Sequence, residues 1–453
     1  MPAITQNRSF LPRFYQLATV SMISNMMIPL AGLCDAAFLG HLSDLKYLSG
    51  VILASILFDY LYRILKFLRN STNAMTAEAV GQDNQEGVLL AGLRSGLIAI
   101  VIALGILVLQ YPIQKLGFWI LAGTADIEQA GALYFNARIW GAPAVLLNFV
   151  LLGWFLGQEK KGIVLLVSAI ANGSNILLDY ILISRWGWSS MGAGLATAMS
   201  QYLALLVSLM AIAWEINWQE LQSALPKVFS PQAFQGAIVL KADILVRFIA
   251  LISAYSIFTN LSAGISTELL AENGLLLQIA LLSQFTIQGI GMTTQTLIGN
   301  FKGKGEVTRL IPLIVTAIAN SLPIALLFAG VTIFFPQRLF GLLTNHSEIN
   351  QSITQYTVWL LPLLSFTAIA FMLEAYFIGL KQGFVLRNAS LVAFLVAFLP
   401  TAIVAWYRQN VDLLWLSLTI YMVALVLYLG WKLLQTQKNL EQQATANLKL
   451  ETT

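Results

Sequence analysis

Residues 29–40 read Pro29-Leu30-Ala31-Gly32-Leu33-Cys34-Asp35-Ala36-Ala37-Phe38-Leu39-Gly40, at the end of an apolar run from Phe14 to Leu39. The run is long enough to cross a bilayer, and an acid lies inside it. A charge at the centre of a spanning helix costs roughly 2.5–3.5 kcal/mol on insertion scales, so such residues are kept with a partner or for a purpose. Pro29, a turn and a half earlier, removes a backbone donor and favours a kink. A bendable helix carrying a titratable group has the make-up of a coupling element. The other reading sets Asp35 at a solvated helix end beside His41 and Asp44.

Composition agrees with a membrane setting. The 453 residues are 58% hydrophobic and only 10% charged, against roughly 25% charged in soluble domains. The chain therefore reads as an all-α polytopic membrane protein. Its 14 Tyr and 11 Trp suit the interfacial belts. A net charge of +4 points to lipid contact rather than to nucleic acid. The single Cys34 excludes an intrachain disulfide. His41 and His346 are too few and too far apart for a metal cluster. Met1–Arg13 is short and polar and leads straight into a span, unlike a cleaved signal.

Spanning-length runs recur twelve times: Phe14–Leu39, Tyr47–Leu68, Val88–Gln110, Gly131–Gly153, Ile163–Ile183, Gly192–Trp214, Ile244–Leu261, Leu270–Gly291, Leu310–Phe334, Ile353–Ile378, Phe384–Tyr407 and Leu413–Trp431. The segments between them alternate in charge. Arg8, Arg13, Arg63, Lys66, Arg69, Arg94, Lys160, Lys161, Lys227, Lys241, Lys302, Lys304, Arg309, Lys381, Arg387, Lys432 and Lys438 fall on one side, and Lys46, Lys115, Arg185, Arg338 and Arg408 on the other. The positive-inside rule then puts both termini in the cytoplasm, as an even span count requires.

The halves echo each other. Thr76-Ala77-Glu78-Ala79-Val80-Gly81 parallels Thr294-Gln295-Thr296-Leu297-Ile298-Gly299. Trp140-Gly141-Ala142-Pro143 parallels Leu360-Leu361-Pro362. Gly153-Trp154-Phe155-Leu156-Gly157-Gln158-Glu159-Lys160 parallels Ala375-Tyr376-Phe377-Ile378-Gly379-Leu380-Lys381-Gln382. Three echoes in one order indicate duplication into two six-helix lobes related by pseudo-twofold symmetry. The expected division is 1–215 for the first lobe and 216–241 for a cytoplasmic linker. The second lobe then takes 242–434, and 435–453 forms a polar cytoplasmic tail, a frayed helix or disorder.

Asn175 and Asp179 share one face of the fifth span. Asp179 is the second acid within a span of the first half, and with Asp35 and Asn175 it can form one polar pocket. Two close carboxyls raise at least one of their pKa values, which suits proton uptake near neutral pH. The same oxygens suit Na⁺. The alternative is a capped helix end, with Asn175 bonding a neighbouring helix. Gly192, Ala196 and Ser200 form a small-residue packing stripe. Thr197 lies off it and can add a hydroxyl to the pocket. In the second half Asp243 and Arg247 are four apart and are expected to pair. Glu374 lies inside the tenth span with no evident local cation. Gln278, Gln284 and Gln288 give the eighth span a polar face, for a cavity or for interhelical hydrogen bonds. There is no G-x-S-x-G, HExxH or P-loop in the sequence, so neither an enzyme nor an ATP-driven pump is expected.

Pro29 to Asp35, Asn175-Ile176-Leu177-Leu178-Asp179 and Gly192-Ala193-Gly194-Leu195-Ala196-Thr197 resemble, in order and spacing, motifs of the multidrug and toxic compound extrusion (MATE) family. Lys241-Ala242-Asp243-Ile244-Leu245-Val246-Arg247 resembles the Asp-Ile-x-x-x-Arg signature of the DinF-like branch. Glu374-Ala375-Tyr376-Phe377-Ile378-Gly379 resembles its Asp-Gly-x-x-x-Gly element, with Glu for Asp and Ala for Gly. The resemblance implies secondary efflux driven by H⁺ or Na⁺, with no other cofactor and no resident metal. It maps a cation-coupling site onto Asp35, Asn175, Asp179 and Thr197, with Tyr134 from the fourth span; by itself Tyr134 reads equally as an interfacial anchor. Arg247, Gln284, Gln288 and Glu374 are candidates for a substrate cavity.

The expectation is an antiporter, monomeric, in a bacterial or cyanobacterial plasma membrane, exchanging an amphipathic organic cation or acid for H⁺. The first helix bends near Pro29 as the acids are neutralised. Na⁺ coupling and a lipid or lipid-linked oligosaccharide flippase are the alternatives, the latter favoured by a more basic cavity.

Overall fold

In the computed structural model, residues 10–40, 45–121, 124–341 and 353–451 are described. The side chains at 28–31, 33–37, 40, 45, 231–234, 236–237, 267, 341 and from 439 onward lie outside that description. Pro29 and Asp35 are among these, on a helical backbone, and His41 and His346 are outside the described residues altogether.

The described residues are helical and contain no strand. The helices are α1 Leu11–Gly40, α2 Leu45–Leu65, α3 Phe67–Gly81, α4 Gln85–Val108, α5 Gln110–Leu121, α6 Ala125–Gly157, α7 Lys161–Arg185, α8 Ser189–Glu215, α9 Trp218–Ala224 and α10 Pro231–Ile265. They continue with α11 Thr267–Gly303, α12 Leu310–Phe334, α13 Pro336–Gly341, α14 Leu360–Gly379, α15 Gly383–Arg408 and α16 Val411–Glu451. Among the described residues nine segments are long and apolar enough to cross a membrane. The other three expected spans fall on α1, on α2 with the start of α3, and on α10. Helices suit this role because all their backbone polar groups bond within the segment. The polar tail, expected as a frayed helix or disorder, is helical to Glu451.

Two compact units form. One holds Ile23–Ile238, the other Met1–Met22 with Val239–Thr453. In the first, α6 is the central helix, packed by α2, α3, α4, α7 and α8. In the second, α14 plays that part among α11, α12 and α16. The central helices bury a large share of their length because neighbours cover them on most sides.

The internal echo recurs as backbone geometry. At the end of α3 the Asn84 amide bonds Ala79 O and the Asp83 amide bonds Val80 O, with Asp83 left-handed. At the end of α11 Glu306 bonds Phe301 O and Gly305 bonds Lys302 O, with Gly305 left-handed. The ends of α6 and α14 repeat it, with Glu159 and Lys381 in the left-handed position. All four are Schellman caps, which satisfy orphan carbonyls at a helix end.

One group of expected loop cations is misplaced by hydropathy alone. Arg63 belongs to α2, Arg69 is buried on α3 and Arg94 is buried on α4. Lys66, between α2 and α3, keeps helical dihedrals, so the segment from 45 to 81 is nearly one helix. The span is thus longer than its most apolar stretch, and its cations sit within it.

Candidate functional site

In the first unit Asp179 ends the α-helical part of α7 and is fully buried. Asn175 is buried one turn before it, and its side-chain amide nitrogen has no hydrogen-bond partner among the described residues. Directly after Asp179 the helix widens to a π segment, Tyr180–Arg185, a departure that recurs at functional positions. Thr197 on α8 is half-buried and donates to its own helix, at Ala193 O, 3.0 Å away. Helix α8 packs against both α7 and α6. Contact with α6 is close: a methyl group at Gly194 would lie 2.5 Å from the Tyr134 carbonyl. The fold therefore brings the helices of Asp179, Thr197 and Tyr134 together, while the side chain of Asp35 lies outside the description.

Tyr134 is buried and its phenol oxygen accepts from Arg138 Nη1 at 2.5 Å and from Ser55 Oγ at 3.2 Å. The Arg138 guanidinium lies 4.5 Å from the Phe58 ring centre, 5.5 Å from that of Tyr134 and 5.9 Å from that of Tyr62. Cation–π attraction strengthens where water is excluded. Arg138 is not among the site residues expected from sequence, because the apolar runs single out the acids within them. Its signal was available: a cation near the middle of a bilayer-spanning helix is a functional candidate by default.

In the second unit the expected Asp243–Arg247 pair does not form. Arg247 instead grips Glu374 on α14 through Nε to Oε1 at 2.8 Å and Nη2 to Oε2. Both groups are buried, and the Arg247 guanidinium lies 4.5 Å from the Phe248 ring centre and 5.5 Å from that of Phe371. Asp243 accepts from Arg387 Nη1 on α15 at 2.9 Å. The reason is geometric: i,i+4 residues lie side by side on one face, and neighbouring helices offer each a better-aimed opposite charge. Glu374 thus has its cation, 127 residues away in sequence.

Gln284 is buried and donates to Tyr255 Oη at 2.6 Å. Gln288 is half-buried, whereas Gln278 is exposed. Further along, Trp415 Nε1 bonds Asn273 Oδ1 at 3.0 Å and Asn273 Nδ2 bonds Ser262 Oγ at 2.8 Å. In this unit Arg247 answers Glu374, and Trp415, Asn273 and Ser262 answer one another; in the first unit Asp179 places an acid in the interior.

A duplicated, all-helical, bilayer-spanning chain with charges held inside its spans is, by class, an integral membrane transporter. The chain belongs to the MatE family: the family profile matches twice, over residues 21–181 and 244–404, one match per half. It is a transporter and not an enzyme. It is 28% identical to DNA damage-inducible protein F of Escherichia coli K12, over 90% of this chain and 88% of that one. It is 24% identical to a probable multidrug resistance protein NorM of Thermotoga maritima, over 74% of this chain and 72% of that one. Among solved structures it shares its fold with an outward-facing multidrug resistance MATE family transporter of the MOP superfamily, at TM-score 0.85 and 19% identity over 94% and 96% of the two chains.

Proposed function

We propose that the chain exports amphipathic organic solutes across a bacterial plasma membrane in exchange for H⁺, acting as a monomer with both termini in the cytoplasm. The observation that carries this reading is Asp179, a fully buried carboxyl in the interior of a spanning helix. Held away from water, it exchanges a proton only as its surroundings change between the two sides of the membrane. Asn175, Thr197 and Tyr134 supply polar atoms on the helices around it, and α1 brings Asp35 as the second acid. Proton arrival neutralises the acids and α1 bends near Pro29, which weakens the hold on the solute. The solute and the proton must prefer different states, since equal affinity shifts nothing.

The test is ethidium efflux from proteoliposomes under separately imposed H⁺ and Na⁺ gradients. Efflux should follow the H⁺ step. Asp179→Asn and Asp35→Asn should each lower it at least tenfold with the thermal midpoint kept. Efflux that follows only the Na⁺ step, or survives in both variants, would overturn the reading.

A further inference from the structure

The first unit contains a second buried polar group that the exchange of protons does not use. Arg69, at the start of α3, is 5% exposed and donates through Nη1 to Asn25 Oδ1 on α1 at 3.0 Å. Asn25 is 3% exposed. Among the described residues, Arg69 Nε, Arg69 Nη2 and Asn25 Nδ2 have no hydrogen-bond partner. The Asn25 amide is oriented by its bond to the guanidinium; turned over, it would oppose donor to donor. The cluster therefore offers only donors, and it surrounds a charge.

A buried, uncompensated guanidinium is costly, so its free edge calls for an acceptor. The carboxylates on the described helices that meet here lie too far along them. Asp35 is ten residues beyond Asn25 on α1. Glu78 is nine residues beyond Arg69, and Asp59 ten before it, on the nearly continuous α2 and α3. At 1.5 Å of rise per residue these are separations of about 14–15 Å. Asp179 is eleven residues beyond Ser168, whose hydroxyl bonds Ser24 next to Asn25, or about 16 Å along α7.

The shape of the free edge identifies the ligand. Nε and Nη2 are the two donors with which Arg247 grips both oxygens of Glu374. In Arg69 the same planar fork is open, and its geometry matches a carboxylate bidentately. Asp59 is exposed and Arg63 and Lys66 are half-buried. They lie at i, i+4 and i+7 on the face that leads to Arg69. Charges at this depth face protein or water rather than lipid.

We propose that Arg69 and Asn25 form a carboxylate-binding site in the first unit, where an exported organic acid lodges its anionic head. This rests on the transport reading and adds organic acids to the solutes the chain carries. The test uses the full chain purified in detergent, with 2-naphthoate, the neutral 2-naphthamide and inorganic phosphate as probes, read by fluorescence titration and thermal shift. Naphthoate should bind and naphthamide should bind at least tenfold more weakly. Arg69→Gln should weaken naphthoate at least tenfold. Asn25→Asp supplies a carboxylate in place, so it should raise the thermal midpoint of the empty protein and abolish naphthoate binding; it decides the matter should Arg69→Gln not fold.

Equal binding of naphthoate and naphthamide, protection by phosphate without naphthoate, or an Asn25→Asp protein that binds like wild type would each overturn the site. Naphthoate binding without efflux of naphthoate or ethidium would overturn the transport reading and leave the site. Ethidium efflux without naphthoate binding would overturn the site and leave the transport reading.

Discussion

Arg247 and Glu374 form a buried, bidentate pair in the second unit. Such a pair contributes little over an apolar replacement, because desolvating two charges offsets most of their attraction. Removing one partner is different, since it strands the other charge away from water. Glu374→Gln should therefore destabilise the protein by about 3–5 kcal/mol, and Arg247→Met combined with Glu374→Leu should recover most of the loss. Thermal unfolding of the purified variants checks both; additive losses in the double variant would contradict the pairing. The partnership was not legible in the sequence. Arg247 had a carboxylate one turn away in Asp243, and only the packing of α10 against α14 reveals the better one. Arg69 is the converse case, since a short basic cluster at the end of an apolar run reads as loop until the helix is seen to continue.

Between helices the governing quantity is how closely backbones approach. The small stripe of Gly192, Ala196 and Ser200 read from sequence is buried on α8 as expected, but the tightest contact is one residue pair off it. At Gly194 an added methyl would meet the Tyr134 carbonyl at 2.5 Å and the Ala137 methyl at 2.9 Å. Backbone cannot yield there without moving α6. At Gly173 on α7 nothing lies within 4 Å. Gly194→Ala should thus cost about 1–3 kcal/mol, while Gly173→Ala should be neutral or gain about 0.5–1 kcal/mol from reduced backbone freedom. A comparison of their thermal midpoints decides it, and equal values would refute the close approach. The stripe's existence was readable because small residues at four-residue spacing have few other uses. Which glycine bears the contact was not, because the crossing angle of two helices is absent from either sequence alone.

For the whole chain, the fold and family were legible because apolar runs set the helices and the echoed caps set the repeat. The charge placement was not, since hydropathy marks where a span is most apolar rather than where it ends. The same blind spot hides how the stretch after α8 is held. Residues 216–241 read as a linker, yet Arg94 on α4 donates to the carbonyls of Lys227 at 2.8 Å and Val228 at 3.1 Å and to Ser230 Oγ at 3.0 Å. Lys227 also pairs with Glu86 at 2.6 Å. Ala224 and Val228 pack with Leu90. One buried guanidinium thus fastens two adjacent backbone carbonyls and a nearby hydroxyl to the first unit, which extends to Ile238. The bond Lys227–Val228 is a trypsin site whose own carbonyl is held by that guanidinium. Proteolysis of a folded chain tracks local opening, so native protein should resist cleavage there. Arg94→Ala should be cut after Lys227 at least tenfold faster, because the contacts it loses are local, with the thermal midpoint shifted little. Cleavage at the wild-type rate would show that the apolar contacts of Leu90 alone secure the segment. Faster cleavage spread over the whole chain would mean instead that Arg94 supports the unit as a body rather than this one strap.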